Sequence, residues 1–397
     1  MANINVKFNN KDYLLSCDEG QEEKLKELAN HLDTKYSELK KNLGNIGENK
    51  LLLITSIQII DDYFEQSIQN AEQIDVSYKQ LWETLHRLMR SGGKRLRPKM
   101  TLLSYEAFGG KDSEKIIPVA VAQELLHFSL LIHDDVIDRD YTRHGTPNIA
   151  GTYKTIYLPF VDKPTERTHF AHSAAILGGD LMLSAAHELI ASSPLASHEK
   201  SIAQQLIARS IFEVAGGELL DTESSFVPYI DGQAVKIARY KTAGYSFEIP
   251  LMTGARIAGI SDEYAVYLRE FSHTLGIAFQ LVDDLLGVFG EEEMTGKSTV
   301  SDITEGKRTY MVEQANAAMS AAEKKQFEQT FGNPDATISE IESAKQLLVS
   351  SGAKAMTEQE IKRYAKEART ALHRIKISEK YREEFEKLIA KVTERTF

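Results

Sequence analysis

Apolar residues follow two rhythms along this chain. Over residues 3–8 and 13–17 they take every second position (Ile4, Val6, Phe8; Tyr13, Leu15, Cys17), the period of a half-buried strand. Asn9-Asn10 between these runs suits a tight hairpin turn, because asparagine tolerates positive φ. From about Gln21 the period changes. Leu25, Leu28, Leu32, Tyr36, Leu39 and Leu43 lie three or four apart and predict an amphipathic helix ending near Gly44; a second helix starts near Glu48 and carries LLLITSIQII. Two strands and two helices make a small core at ~65 residues, so this segment is expected to self-associate. The polar stretch EQSIQNAEQIDVS (65–77) has no Gly or Pro, which allows one continuous helix across it. Asp61-Asp62 reads as surface, since nothing follows it at helical spacing. Beyond Ser77 nearly every segment has the helical period. Pro98 initiates a helix, Gly109-Gly110 stops one, and Thr357 with Glu360 reads as a capping box. The expected fold is mainly all-α: a large helical bundle over 66–397 with a small ββαα appendage over 1–65.

A net charge of −11 argues against a nucleic-acid partner and requires local basic groups around any diphosphate ligand. The single cysteine, Cys17, leaves no internal disulfide and fits a reducing compartment. The N-terminus lacks the basic-then-apolar layout of a signal peptide, and no uninterrupted apolar run reaches the ~18 residues of a spanning helix. A cytoplasmic protein without a transmembrane segment is expected.

The chemistry concentrates in LLHFSLLIHDDVIDRDYTRHGTP (125–147). On a helix Asp134 and Asp138 share a face, with His127 and Leu131 on the same stripe. Two carboxylates one turn apart repel and call for a counter-charge, and magnesium shared with a phosphate is a common one. Alone, the pentapeptide also fits a solvated acidic turn, but the apolar run ahead of it and a second acidic pair, Asp283-Asp284 in FQLVDDLLG, argue otherwise. Basic loops complement the acids. SGGKRLRP (91–98) sets Lys94, Arg95 and Arg97 after a glycine pair whose backbone can approach an anion. ARYKTAG (238–244) offers Lys241 and Thr242, and TGKSTVSDITEGKRT (295–309) offers Lys297 and Lys307.

This ordered series, GGKxxRP, HxxxxxxDDxxDxxxxR, KT, FQxxDD and GK…GK over residues 92–307, resembles the trans-isoprenyl diphosphate synthases. The resemblance implies a magnesium-dependent prenyltransferase, typically a homodimer, that joins isopentenyl diphosphate head-to-tail to an allylic diphosphate. It implies that Asp134 and Asp138 hold two magnesium ions, and that Asp283 takes a third with Asp284 in support; Asp135 completes the first motif. Arg143, Lys241, Lys297 and Gln280 would contact the allylic substrate, with Thr242 and Lys307 nearby; Lys94, Arg97 and His127 would bind isopentenyl diphosphate. An acid is often found at the position of Asp221. Three positions depart from the pattern. Gly287 stands for the usual third Asp, His144 for a second Arg after Arg143, and Glu218 for a common Gln. His144 would weaken isopentenyl diphosphate binding or make it pH-dependent. Ser129 and Leu130, where short-chain members carry aromatics, leave the pocket floor open for a longer product, geranylgeranyl diphosphate. The alternatives are a class I terpene cyclase and a division-associated scaffold or regulatory subunit with an inactive synthase body.

Residues 1–65 resemble the ZapA family of bacterial cell-division accessory proteins, through NNKDY (9–13), CDEGQEE (17–23), LANHLD (28–33) and GNIGENKLLLI (44–54). The resemblance implies contact with the tubulin-like division protein FtsZ. Asn10 replaces the usual Gly, and the chain runs on from Phe64 into a different sequence type instead of that family's long helix.

Overall fold

The computed structural model describes residues 2–8, 11–17, 48–93, 95–143, 145–227, 230, 232–290 and 301–394, with isolated positions at 20, 22, 23, 26 and 30. The turn at Asn9-Asn10, most of the helix expected over 21–44, and Lys94, His144 and Lys297 lie outside the described residues. The chain divides into two compact units, residues 1–205 with 256–258, and residues 206–255 with 259–397.

In the first unit, β1 (Ala2–Phe8) and β2 (Lys11–Cys17) pair antiparallel from Ala2 opposite Cys17 to Phe8 opposite Lys11, as their alternation predicts. Then come α1 (Glu48–Glu72), α2 (Val76–Arg90), α3 (Leu96–Ala107) and α4 (Ser113–Ile137). A short hairpin, β3 (Thr142–Arg143) and β4 (Thr146–Pro147), leads to α5 (Ile149–Ile156) and α6 (Pro164–Ser192). α1 runs unbroken across Glu65 but ends at Glu72, and α2 starts at Val76 with the Asp75 side chain accepting from Ser77 N, so the polar stretch contains a capped break and not one continuous helix. Asp61 is not a bystander on α1. Its carboxylate lies 2.9 Å from His86 Nε2 on α2, while fully buried Phe64 stacks on the His86 ring with centroids 5.2 Å apart.

α4 is the hub of this unit, packing against α3 and α6. Its apolar residues point in nearly every direction, and Ile116, Ile117, Leu125 and Leu126 are fully enclosed. By length and composition α4 and α6 could each cross a membrane; α4 instead spends its apolar surface on the core, with 72% of that window buried. Gly179 lets α6 approach α4 closely, since a Cβ there would lie 2.2 Å from His133 Nε2.

The second unit takes in α7 (Ser197–Ser224) from Leu206 onward, the short α8 (Gln233–Ile237), a π-helix (Ala238–Glu248), α9 (Ile249–Ile257) as far as Ala255, and α10 (Asp262–Phe289). It continues through α11 (Ser301–Thr304), α12 (Tyr310–Ala318), α13 (Ala321–Thr330), α14 (Ile338–Ser350), α15 (Ala353–His373) and α16 (Glu379–Thr393). α10 is its spine, packed on the π-helix and α15. The capping box expected at Thr357 is not one. α15 begins at Ala353, and the buried Thr357 hydroxyl donates to Ala353 O at 2.9 Å from within the helix. Among the described residues, capping boxes are formed by Ser320 with Glu323 and by Thr337 with Glu340.

The π-helix ends on a buried acid. Glu248 has no exposed side-chain surface and is gripped by Arg209 of α7 (3.1 Å) and by Arg269 (2.8 Å) and His273 of α10. Burial by itself raises this carboxyl, but the His273 hydrogen bond and the surrounding cations outweigh it and bring the pKa to about 2. The unfolded chain therefore takes up a proton near pH 4.5 that the folded chain refuses, so this contribution is full above that pH and is lost as pH falls toward 2. Glu248→Gln takes the carboxylate charge away from Arg209 and Arg269 and weakens the bond to His273. It is expected to cost about 3 kcal/mol, read from denaturant midpoints at pH 7, and to flatten the acid limb of stability against pH.

Candidate active site

In the first unit the acidic motif lies where α4 ends. Ile137 is the last helical residue, and Asp138 closes the turn with its N–H donating to Asp134 O at 2.8 Å. Asp134 and Asp138 are half-buried one turn apart, the spacing expected from the sequence. Asp135 differs from them. It is 5% exposed, and Arg143 Nε donates to its Oδ1 at 3.0 Å, with a second bond from Nη2 to the same oxygen. Burial raises the Asp135 carboxyl above its ordinary range even though Arg143 opposes this. Arg143 also reaches to 3.9 Å from Asp134 Oδ2. Asp135 thus orients Arg143, and Arg143 brings positive charge beside the acidic turn.

The loop that carries Arg143 is held by Asn148, which is 2% exposed. Its Nδ2 donates to Asp140 O at 2.8 Å, and its Oδ1 accepts from Gly151 N at 2.9 Å. Gly151 is required here, because a Cβ would lie 2.0 Å from Tyr141 O.

A cavity of about 90 Å³ is lined by Gly92, Gly93, Arg95, Glu124, His127 and Arg143 among others. Burial holds His127 well below its ordinary pKa, and the charges of Arg97, Arg143 and Arg95 push the same way. The imidazole is therefore neutral at physiological pH and offers an anion one N–H. Leu130 is half-buried and one turn before Asp134. Ser129 is 1% exposed, and its hydroxyl is buried without a partner among the described residues.

In the second unit the π-helix presents Lys241 and Thr242. Gly217 allows α7 to lie against its backbone, since a Cβ there would sit 2.3 Å from Lys241 N. Lys241 Nζ bridges Asp221 (2.6 Å) and Glu218 (3.0 Å), so the Gln-to-Glu departure at 218 gives the lysine a second carboxylate. The Thr242 hydroxyl donates to Gln280 Oε1, and Gln280 Nε2 donates to Asp284 Oδ1 at 2.8 Å. Asp283 is exposed. Burial raises Asp284; the Gln280 bond opposes this, but the charges of Asp302, Asp283 and Asp221 add to it and the carboxyl reaches about 8. Lys307 lies 3.2 Å from Glu305 and 3.6 Å from Asp302.

Asp302 was not singled out from the sequence. A Cβ on Gly287 would lie 2.0 Å from Asp302 Oδ2, so the space of the missing third aspartate is filled by a carboxylate from α11. Ile303, buried in the core, anchors it, and Lys307 N donates to Asp302 O at 3.0 Å. The sequence signal was a glycine where an acid was expected, followed by an acid ahead of Gly306-Lys307.

Residues 78–348 match the model of the polyprenyl synthetase family, and residues 4–91 match that of the cell division protein ZapA. The second match extends past residue 65, where the chain was expected to leave that sequence type, and takes in all of α1 and α2. A geranylgeranyl diphosphate synthase of Sulfolobus acidocaldarius is 32% identical over 72% of this chain and 84% of its own length. A geranylfarnesyl diphosphate synthase of Aeropyrum pernix is 32% identical over 74% and 86%. The crystal structure of a geranylgeranyl pyrophosphate synthase from Corynebacterium glutamicum, complexed with isoprenyl diphosphate and magnesium, superposes with a TM-score of 0.79 at 30% identity, covering 85% of this chain and 98% of that one. The chain belongs to the polyprenyl synthetase family and is a trans-prenyltransferase.

Proposed function

We propose that this enzyme condenses isopentenyl diphosphate head-to-tail with an allylic diphosphate, using magnesium, to give geranylgeranyl diphosphate. One observation carries the reading. The helix that ends in Asp134 and Asp138 also carries His127, which lines a cavity with Gly92 and Gly93 of the glycine loop and lies within the field of Arg97. A cyclase has one diphosphate to hold, whereas an elongating enzyme has two.

The donor set fits magnesium. Oxygen ligands one helical turn apart suit a hard cation, and Asp284, raised first by burial and then by the charges of Asp302, Asp283 and Asp221, belongs to a clustered set of carboxylate oxygens of the kind a divalent ion neutralises. Asp134 and Asp138 would hold two ions and Asp283 a third, with Asp284 and Asp302 supporting. Bound magnesium supplies charge that draws electrons onto the departing diphosphate. Arg143, Lys241, Lys297, Lys307, Gln280 and Thr242 orient that diphosphate; Lys94, Arg97 and His127 hold the second one. The double bond of isopentenyl diphosphate attacks the allylic carbon as its C–O bond breaks, and a proton then leaves to the released diphosphate. Apolar helix walls keep water from the cation. Diphosphate release that needs both substrates and stops with EDTA is the test; release from the allylic substrate alone supports a cyclase instead.

Product length is assigned to the α4 turn before Asp134. Ser129→Phe is expected to shorten the product. Because Ser129 is enclosed, Leu130→Phe, on the Asp134 side of the helix, is the companion variant. Unchanged chain length in both folded variants, on chromatography of the dephosphorylated products, would sink this floor.

The enzyme is read as a cytoplasmic homodimer. α6 exposes Ile176 and Leu177, and α7 exposes Phe212 (82%) and Leu219 (70%) two turns apart on one face, surfaces suited to a second copy. Light scattering of the full chain tests this. Residues 1–65 are proposed as a separate head that self-associates and contacts FtsZ, and failure to co-sediment with FtsZ polymers would remove that role.

A further inference from the structure

The loop before α3 reads Gly-Gly-Lys-Arg-Leu-Arg, and its three cations invite the view that all of them face an anion. Arg95 does something else. Its guanidinium turns inward, with Nη1 donating to Glu124 Oε1 on α4 at 2.8 Å and Nη2 donating to Met89 O at the end of α2. The side chain is only 16% exposed, and Glu124 is 4% exposed. Glu124 Oε2 is buried without a protein partner, so among the described residues the guanidinium is the one cation paired with this carboxylate.

The backbone shows that the arrangement is held under strain. Arg95 is left-handed (φ 47°, ψ 46°); among the described residues Arg139 is the only other non-glycine with positive φ. It occupies the N-cap of α3, where Ser, Asp or Asn is usual, and makes no side-chain cap bond. A cation at a helix N-terminus opposes the helix dipole, and the left-handed conformation crowds the Cβ of an L-residue against its own backbone. Both penalties are tolerated because the side chain is anchored elsewhere. Gly93 completes the fit. With φ at +115° it lies so close that an added Cβ would be 3.2 Å from Arg95 Nη1 and 3.7 Å from Glu124 Oε1.

We infer that the Arg95–Glu124 pair is a strut that fixes the glycine loop and Arg97 against the helix bearing His127, and that Arg95 is a positioning residue and not a ligand of the second diphosphate. His127 follows Glu124 by three residues, so the pair sets the register between the loop and the imidazole. This rests on the proposed condensation, and wild-type turnover of isopentenyl diphosphate tests that reading separately.

The experiment is a double-mutant cycle, Arg95→Gln, Glu124→Gln and both together, with steady-state constants for each substrate. Each single change is expected to raise KM for isopentenyl diphosphate about tenfold while KM for the allylic substrate stays within about twofold; the double variant is no worse than the worse single one. Arg95→Lys keeps the charge without the fork and should fall between wild type and Arg95→Gln. An activity-free readout accompanies this: trypsin cleavage after Lys94 in the native protein is expected to accelerate about fivefold or more in Glu124→Gln. Three outcomes overturn the strut. In one, Glu124→Gln leaves KM for isopentenyl diphosphate unchanged while Arg95→Gln raises it, making Arg95 a ligand. In another, both KM values rise together, marking general loosening. In the third, cleavage after Lys94 is unchanged.

Discussion

Asp134→Asn and Asp138→Asn are each expected to lower kcat about a thousandfold, equivalent to ~4 kcal/mol of transition-state stabilisation, with the helix content of the protein unchanged. Both carboxylates are half-buried where α4 closes, and the amide keeps their shape and hydrogen-bonding reach while removing the charge that holds a divalent ion. Asp135→Asn is the informative contrast. Its carboxylate is spent on Arg143, so its loss should be felt chiefly as an increase in KM for the allylic substrate, with a much smaller effect on kcat. Steady-state kinetics across a magnesium titration separates the two. Saturating magnesium should not rescue Asp134→Asn or Asp138→Asn to wild-type rates. Equal losses in all three variants would mean that the three acids act as one undifferentiated cluster.

The second large effect concerns a residue that looks like a defect. Restoring the usual aspartate by Gly287→Asp is expected to harm the enzyme, because the added Cβ would lie 2.0 Å from Asp302 Oδ2 and would bring a further negative charge to the group that already raises Asp284. Overpacking of this kind costs about 1–3 kcal/mol before the repulsion is counted, and activity should fall at least tenfold. The paired variant Gly287→Asp/Asp302→Gly returns one carboxylate to one space and should recover most of the loss. Thermal melts and kcat of the three proteins test this. A Gly287→Asp variant more active than wild type would show that Asp302 does not fill the role.

Much of this was readable in the chain. The hairpin over 2–17 follows from alternation, and the end of α4 at Ile137 follows from an apolar run that stops in acids. Features of one helix, such as the Asp134–Asp138 face, are set by local spacing. What escaped depends on residues far apart in sequence. Asp302 meets Gly287 only because Ile303 enters the core beneath it, and Arg95 meets Glu124 across 29 positions. Asp61 read as surface until α1 packed on α2 and brought His86 to it. Thr357 with Glu360 satisfied the capping pattern, yet Gly352 starts the helix earlier in the left-handed conformation, and burial of Thr357 decided its partner. The π-helix gave no periodic signal, because it is held from outside its own sequence by the close approach of Gly217 and Gly276 and by Arg209, Arg269 and His273, which grip its last residue, Glu248.

The most direct measurement is identification of the products formed from isopentenyl diphosphate with dimethylallyl, geranyl or farnesyl diphosphate in the presence of magnesium. The account predicts linear geranylgeranyl diphosphate from each starter, with inorganic diphosphate released in step with every added unit. Cyclic hydrocarbons formed from an allylic diphosphate alone, or folded protein that consumes neither substrate, would contradict it.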